Sequence, residues 1–408
     1  MVASSDAGDD GATQETPPTP EPAEGAPAPE SMTATTDELM TAMEDESPEP
    51  VVAAAALRHI YVSASGSDSN PGTQTRPFKT IVKASKVATP GTIVHVAPGT
   101  YPGSFTTAKS GTSAARIRYV SDVKWGAKIV PPANSGLVAG WYNTGSYVDI
   151  VGFEVNGTRT QGGKRWTLGI MIRGGNNTVQ SNHVHHIATT SAACNSQGGS
   201  AINADNLQNG YNINFIGNVV HHIGVAGCNK VHGIYHSSSG TIKNNLIYQV
   251  GYGGIHLWHD ASNIQISNNT IFGNYYGIIV GSGDYYKSTT RKVDNVHVSN
   301  NIVYDNVIGV IEMGAQGSRN TFTNNLVYKN SRTNWAVRKS HSGDVNADPQ
   351  FVSYNRNGGG NYSLRSTSRA IGYGSPTYAP PTDINNVKRP QGGRIDIGAY
   401  EYAGAGAR

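Results

Sequence analysis

Two cysteines in 408 residues exclude a disulfide-dense scaffold and any cysteine-built metal module. No apolar run reaches about 18 residues, so no membrane-spanning helix is expected. Charged residues are scarce, at 14%. Positive charge is missing altogether from one end: residues 1–57 hold 13 acids and no Lys or Arg. The remainder therefore carries 15 acids against 31 bases, a formal net of +16 that the whole-chain value of +3 conceals. A basic folded domain of this kind suits an anionic partner. The acidic stretch, rich in Pro, Ala, Glu and Thr, has almost nothing to bury and reads as a disordered linker. Residues 58–408 are left as one folded domain. Such a linker fits a tether between an export signal or lipid anchor and a secreted, cell-surface or periplasmic domain; the chain as given shows no signal peptide.

What is abundant is Gly (49 residues) and, in the central region, paired Asn. Both are poor in helix interiors. Six segments superpose without a gap: Asn182-HVHHI, Asn218-VVHHI, Asn245-LIYQV, Asn269-TIFGN, Asn301-IVYDN and Asn325-LVYKN. Their asparagines are separated by 36, 27, 24, 32 and 24 residues, a period of about 24 with two insertions. Each repeat adds a short run opened by glycine (GIMIR at 169, GSAIN at 199, GIYHS at 233, GIHLW at 254, GIIVG at 277, GVIEM at 309) and a third run before the Asn. Three short strands per turn, with no room for helices between them, predict a single-domain all-β fold: a right-handed parallel β-helix. Coils lie about 4.8 Å apart, so the Asn column is expected to form a ladder. The column three residues later (His185, His221, Tyr248, Phe272, Tyr304, Tyr328) is expected to form a ring stack, which makes its histidines structural. Cys194 and Cys228 each precede a strand-opening glycine by five residues, and that shared register predicts a disulfide. FKTIVKASKVA (78–88) has the period of a short capping helix, TIVHVAPGTY (92–101) reads as the first strand and turn, and 361–374 and 394–402 read as closing strands.

IYVSASGSDSNPGTQTRPFKTIVKASKVATPGTIVHVAPGTYPG (60–103) resembles the start of the pectate-lyase-like superfamily of secreted right-handed β-helices, and is similar to family 9 polysaccharide lyases in particular. RPQGGRIDIGAYEY (389–402) looks like the terminus of bacterial β-helices of the same group. The resemblance implies a saccharide-acting protein. Calcium-dependent members use an aspartate cluster with a nearby basic residue. Here SAINADN (200–206) offers only Asp205 and no adjacent lysine, so neither calcium nor another cofactor is expected.

The glycine-opened sheet is the candidate groove. If the residue after Gly points inward, the outward column two residues after Gly reads Met171, Ala201, Tyr235, His256, Ile279, Ile311. The column four after reads Arg173, Asn203, Ser237, Trp258, Gly281, Met313. Titratable and aromatic groups thus gather in two central coils, and His232, His236, Tyr235, His256, His259 and Asp260 are the candidate acid–base groups. Elimination from a uronic acid needs a base, a stabiliser of enolate-like charge and an acid. Arg173, Lys230, Lys287 and Arg291 are candidates for holding the carboxylate; Asn203, Trp258, Asp284, Glu312 and the insertion tyrosines Tyr285 and Tyr286 are candidates for the rest of the sugar. The expected function is a polysaccharide lyase acting on an anionic polysaccharide, as a monomer. Other readings stay open: a glycoside hydrolase using a carboxylate pair from Asp205, Asp260, Asp284 and Glu312; a uronate epimerase, from the loose likeness of LWHD (257–260) to an epimerase DPHD element; and a non-catalytic adhesin. No nucleic-acid-binding module is present.

Overall fold

The computed structural model describes residues 57–133, 138–158, 165–190, 198–207, 210–289 and 291–404. The acidic segment read as a linker lies outside them, apart from Leu57. The described residues coil into three parallel sheets of eleven, nine and nine strands, in which each strand pairs with its counterpart one coil away. The fold is the expected right-handed parallel β-helix. Alternation drives it. Ile170, Ile202, Ile234, Ile255, Ile278 and Val310 form one register column, each 0% exposed, and the two other sheets add similar columns of Val, Ile and Phe.

The paired asparagines divide two tasks. The first of each pair turns the corner in the left-handed region (Asn244 φ 56°, Asn268 φ 55°, Asn300 φ 56°, Asn324 φ 55°), where Asn is tolerated better than most side chains. The second points inward and forms the ladder. Asn269 Nδ2 donates to Asn301 Oδ1 at 2.9 Å, and Asn269 Oδ1 accepts from the Nδ2 and backbone N of Asn245, both at 2.9 Å. The same contacts run from Asn182 to Asn325, all fully buried. A second ladder, Asn274–Asn306–Asn330–Asn334, runs up a neighbouring corner. The expected ring stack is continuous over its first four members, His185–His221, His221–Tyr248 and Tyr248–Phe272 lying 5.0, 4.9 and 5.1 Å apart and within 17° of parallel, whereas Tyr354 meets Phe272 and Tyr304 edge-on where the column continues.

A helix, Ile81–Val87, covers the first coil, with the Thr80 side chain accepting from Lys83 N. The C-terminal reading needs correction. Asn361–Leu364 is a strand, but it pairs antiparallel with Phe351–Ser353 rather than closing the coil. Residues 394–402 form no strand. They lie along the flank of the solenoid, where Asn268 Nδ2 donates to Asp396 O and Ala399 N to Thr270 Oγ1, pinned by the fully buried Arg389–Glu401 pair at 2.6 Å.

The groove register also differs. Gly199 pairs with Val231, and Asn203 with Tyr235, so the glycine of this strand lies two residues earlier in the register than Gly233 does in the next. Ala201 therefore lies at the glycine position, Asn203 stands beside Tyr235 and His256, and Asp205 pairs with Ser237. The same shift removes the register argument for Cys194 and Cys228. Cys228 is nonetheless buried and disulfide-bonded, and Cys194 lies outside the described residues.

Candidate functional site

Strands Leu168–Ile172, Gly199–Asp205, Val231–Ser237 and Gly253–Leu257 present their outward side chains to one open cleft of about 540 Å³. Alternation places Met171, Asn203, Tyr235 and His256 side by side across four coils. The far wall is the insertion after Gly281, which lengthens that coil. Its Tyr286 lies face to face with His259 at 3.9 Å, and Trp258 lies against Gly281 and Gly283. A Cβ on either glycine would come within 2.7 Å of the indole, so only glycine permits this packing.

His256 is the centre. Its Nδ1 lies 3.1 Å from His232 Nδ1, and its ring meets Tyr235 edge-on at 5.2 Å. His232 in turn stacks on Tyr235 at 4.8 Å. Burial removes water from both imidazoles and favours their neutral forms: His232 is held down to about 3, and His256 is pushed well below its ordinary value by burial and then by the neighbouring His232. Burial also pushes the Tyr235 phenol well up, so it keeps its proton. His256 Nε2, Asn203 Oδ1 and Ser200 Oγ are buried without a hydrogen-bond partner, and all three residues line the cleft. Buried polar atoms are normally paired, so three orphans facing one cleft indicate a polar ligand.

At one end Arg173 Nε donates to Asp205 Oδ2 at 2.8 Å, and the guanidinium lies over the Tyr142 ring at 5.4 Å. Burial raises the Asp205 carboxyl and Arg173 opposes that. Lys230 and Asn229 form the exposed rim near His232.

A family model for the Pel9A-like right-handed β-helix region matches residues 60–355, most of the chain. The chain belongs to the Pel9A-like β-helix family. Among curated proteins it is 27% identical over 149 residues to the uncharacterised protein YwoF of Bacillus subtilis (strain 168), 34% of this chain and 31% of that one. It is 29% identical over 170 residues to pectate lyase L of Dickeya chrysanthemi, 37% of each chain. The chain thus spans about a third of the length of these relatives. Among solved structures, pectate lyase Pel9A superposes with a TM-score of 0.56 at 17% identity, over 84% of this chain and 96% of that one. A rhamnogalacturonan lyase gives 0.54 at 17%, over 73% and 91%. At such identities these structures establish the fold alone.

Within this Pel9A-like coil, ten of the expected residues meet at the cleft: Arg173, Asn203, Lys230, His232, Tyr235, His256, Trp258, His259, Asp284 and Tyr286. Six do not. His236 faces the core; its Nε2 donates to Ile213 O and its Nδ1 accepts from Ser238 N, so neither nitrogen is left for chemistry. Asp260 is a loop clamp, accepting from Asn206 Nδ2 and from the backbone N–H groups of Tyr286, Lys287 and Ser288 at 2.9–3.1 Å. Tyr285 donates back to Ser282 Oγ and Arg291 O within the insertion. Lys287 and Arg291 are exposed on that loop, away from the cleft lining. Glu312 is buried in the inward column of Val280 and accepts from Arg338 N. His259 lines the cleft but is already engaged: Nδ1 donates to Asp284 O and Nε2 accepts from Tyr286 Oη, both at 2.7 Å. Sequence reasoning missed Ser200 and Tyr252 in the lining, and placed Asp205 only as a candidate carboxylate. The Asp205 oxygens are occupied by Arg173 Nε and Leu207 N, and no three His, Cys, Asp or Glu side chains converge on one point among the described residues. This donor set does not fit a calcium ion.

Proposed function

We propose that this protein is a secreted polysaccharide lyase that cleaves a uronic-acid-containing chain by β-elimination. The observation that carries the reading is the neutral, partnerless Nε2 of His256 beside the protonated phenol of Tyr235 in an open cleft. His256 Nε2 takes the proton from the carbon bearing the carboxylate. The electron pair moves towards that carboxylate and then forms the double bond as the adjacent C–O bond breaks. Tyr235 gives its proton to the departing oxygen. His232 accepts a hydrogen bond from His256 Nδ1–H and steadies the imidazolium while it lasts. An anionic substrate also raises the basicity of His256, offsetting the burial that depresses it in the empty cleft. Lys230, two residues before His232, and Arg173 are the cations that line the cleft. Arg173 directly follows the strand Leu168–Ile172, three steps from that of His256, about 14 Å at 4.8 Å per strand, and so meets a different sugar unit. Lyases among the similar proteins, by their names, support the same chemistry.

A hydrolase reading rests on Asp205 and Asp284, the two carboxylates that line the cleft. One experiment separates the two. The protein is incubated with pectic, alginate and glycosaminoglycan chains, and both ultraviolet absorbance of the unsaturated uronate and new reducing ends are followed. The lyase produces both. Reducing ends without absorbance refute the proposal in favour of a hydrolase; inversion at the acidic carbon without cleavage refutes it in favour of an epimerase; absence of any turnover across the panel refutes the stated substrate class. His256→Gln and Tyr235→Phe abolish turnover in folded protein.

A further inference from the structure

On a different sheet from the cleft, five histidines crowd two adjacent coils: His183, His185 and His186 on one, His221 and His222 on the next. The ring stack accounts for His185 and His221 as aromatic faces. It does not account for histidine at 221, because Tyr248, Phe272, Tyr304 and Tyr328 fill the same column further along. Nor does it account for His183, which lies off the column and brings its Nε2 to 2.6 Å from His221 Nε2. In the absence of other ligands, two such nitrogens must share one proton.

We propose that His183 and His221 bind a divalent transition-metal ion through their Nε2 atoms and so clip the two coils together. Imidazole nitrogens bind Zn(II), Ni(II) and Cu(II) at about 2.0–2.1 Å, which sets the two nitrogens about 2.9–3.4 Å apart for angles between square and tetrahedral. The rings need to part by less than about 1 Å to reach that spacing. Freeing both lone pairs requires only that His183 move its proton from Nε2 to Nδ1, with no change of charge. The outer shell is already built. His221 Nδ1 lies 2.6 Å from His222 Nδ1, so its N–H has an acceptor in the tautomer that ligation demands. His185 stacks on His221, and its Nε2 meets Glu154 Oε1 at 3.3 Å. Lys128 holds the other Glu154 oxygen at 3.2 Å. Since no third His, Cys, Asp or Glu converges there among the described residues, water completes the coordination. Two nitrogens with open positions suit Cu(II) best.

Trp125 supplies the readout, because its ring lies 4.7 Å from that of His183. Untagged protein is titrated with copper sulfate while tryptophan fluorescence and the copper electron paramagnetic resonance spectrum are recorded. Quenching saturates at one equivalent, vanishes in Trp125→Phe, and the spectrum shows two coordinated imidazole nitrogens. His221→Phe preserves the ring stack and weakens binding by about a hundredfold; His183→Ala does the same, and His222→Ala weakens it by about tenfold. Quenching without saturation, unchanged affinity in His183→Ala and His221→Phe, or loss of binding only when His186 is replaced each overturns the site.

Discussion

Replacing Asp260 by alanine tests whether this carboxylate acts on the loop or on the substrate. Its two oxygens accept four N–H donors at 2.9–3.1 Å, three of them consecutive backbone amides of the insertion. In a half-exposed setting, where water replaces much of what is lost, each of the four bonds is worth about 0.5–0.75 kcal/mol, or about 2–3 kcal/mol in all. The opened loop then becomes roughly 30- to 150-fold more populated, at 1.4 kcal/mol per factor of ten. Opening carries Tyr286 off His259 and Asp284 away from Trp258, dismantling one wall of the cleft. Hydrogen exchange at the amides of residues 286–288 accelerates by that factor in Asp260→Ala, kcat/KM falls by one to two orders of magnitude, and the thermal midpoint barely moves. Asp260→Asn keeps one oxygen acceptor, and with it most of the loop protection and activity. If Asp260 instead transfers a proton, Asp260→Asn falls as far as the alanine variant while its loop amides stay protected. That result would refute the clamp.

Asn269→Ala leaves the backbone N–H of Asn245 and the carbonyl of Ile242 unpaired inside the stack, and costs about 3–5 kcal/mol in a urea-melting experiment; a loss under about 1 kcal/mol would show that the ladder is dispensable. His236 is neutral in the fold, held by burial to about 4 against an unfolded value near 6.5. Because the folded value is the lower one, the unfolded chain takes up the proton first. Stability is therefore lost as pH falls from about 6.5 to about 4, by roughly 3 kcal/mol from this group. His236→Gln removes that part of the slope, and a variant whose stability falls as steeply as the parent's contradicts the assignment. For activity, burial lowers His256 in the free protein, so kcat/KM on an acidic polysaccharide holds at pH values where an ordinary histidine is already protonated; a fall centred near pH 6.5 would argue against His256 as base.

The fold was legible because its signal is repeated: one asparagine and one ring per coil, at a spacing only stacked coils explain. The division of labour in Asn-Asn was less visible, since the left-handed corner residue and the ladder residue are the same amino acid and only φ separates them. One strand of the groove was read two residues out of register because glycine was used as the register mark. The isoleucine column is the better mark: Ile170, Ile202, Ile234 and Ile255 pair directly, and Ala201 fills the glycine position in the coil that lacks one there. A core column is tied to its neighbours by packing on every side, whereas a small residue outside it needs only to be small. The same distinction explains the candidates that failed. His236 and Glu312 share a register column with Ala204, Leu257 and Val280, and that column faces inward. Both were named for their polarity, yet hydrogen bonds to Ile213 O and Ser238 N satisfy His236 inside, and Arg338 N reaches one Glu312 oxygen while Oε1 stays buried without a partner. Asp260 failed for the opposite reason: the sequence placed it rightly in a turn, but an insertion 24 residues further on bends back to occupy it, and nothing in a linear pattern records which amides a carboxylate will meet.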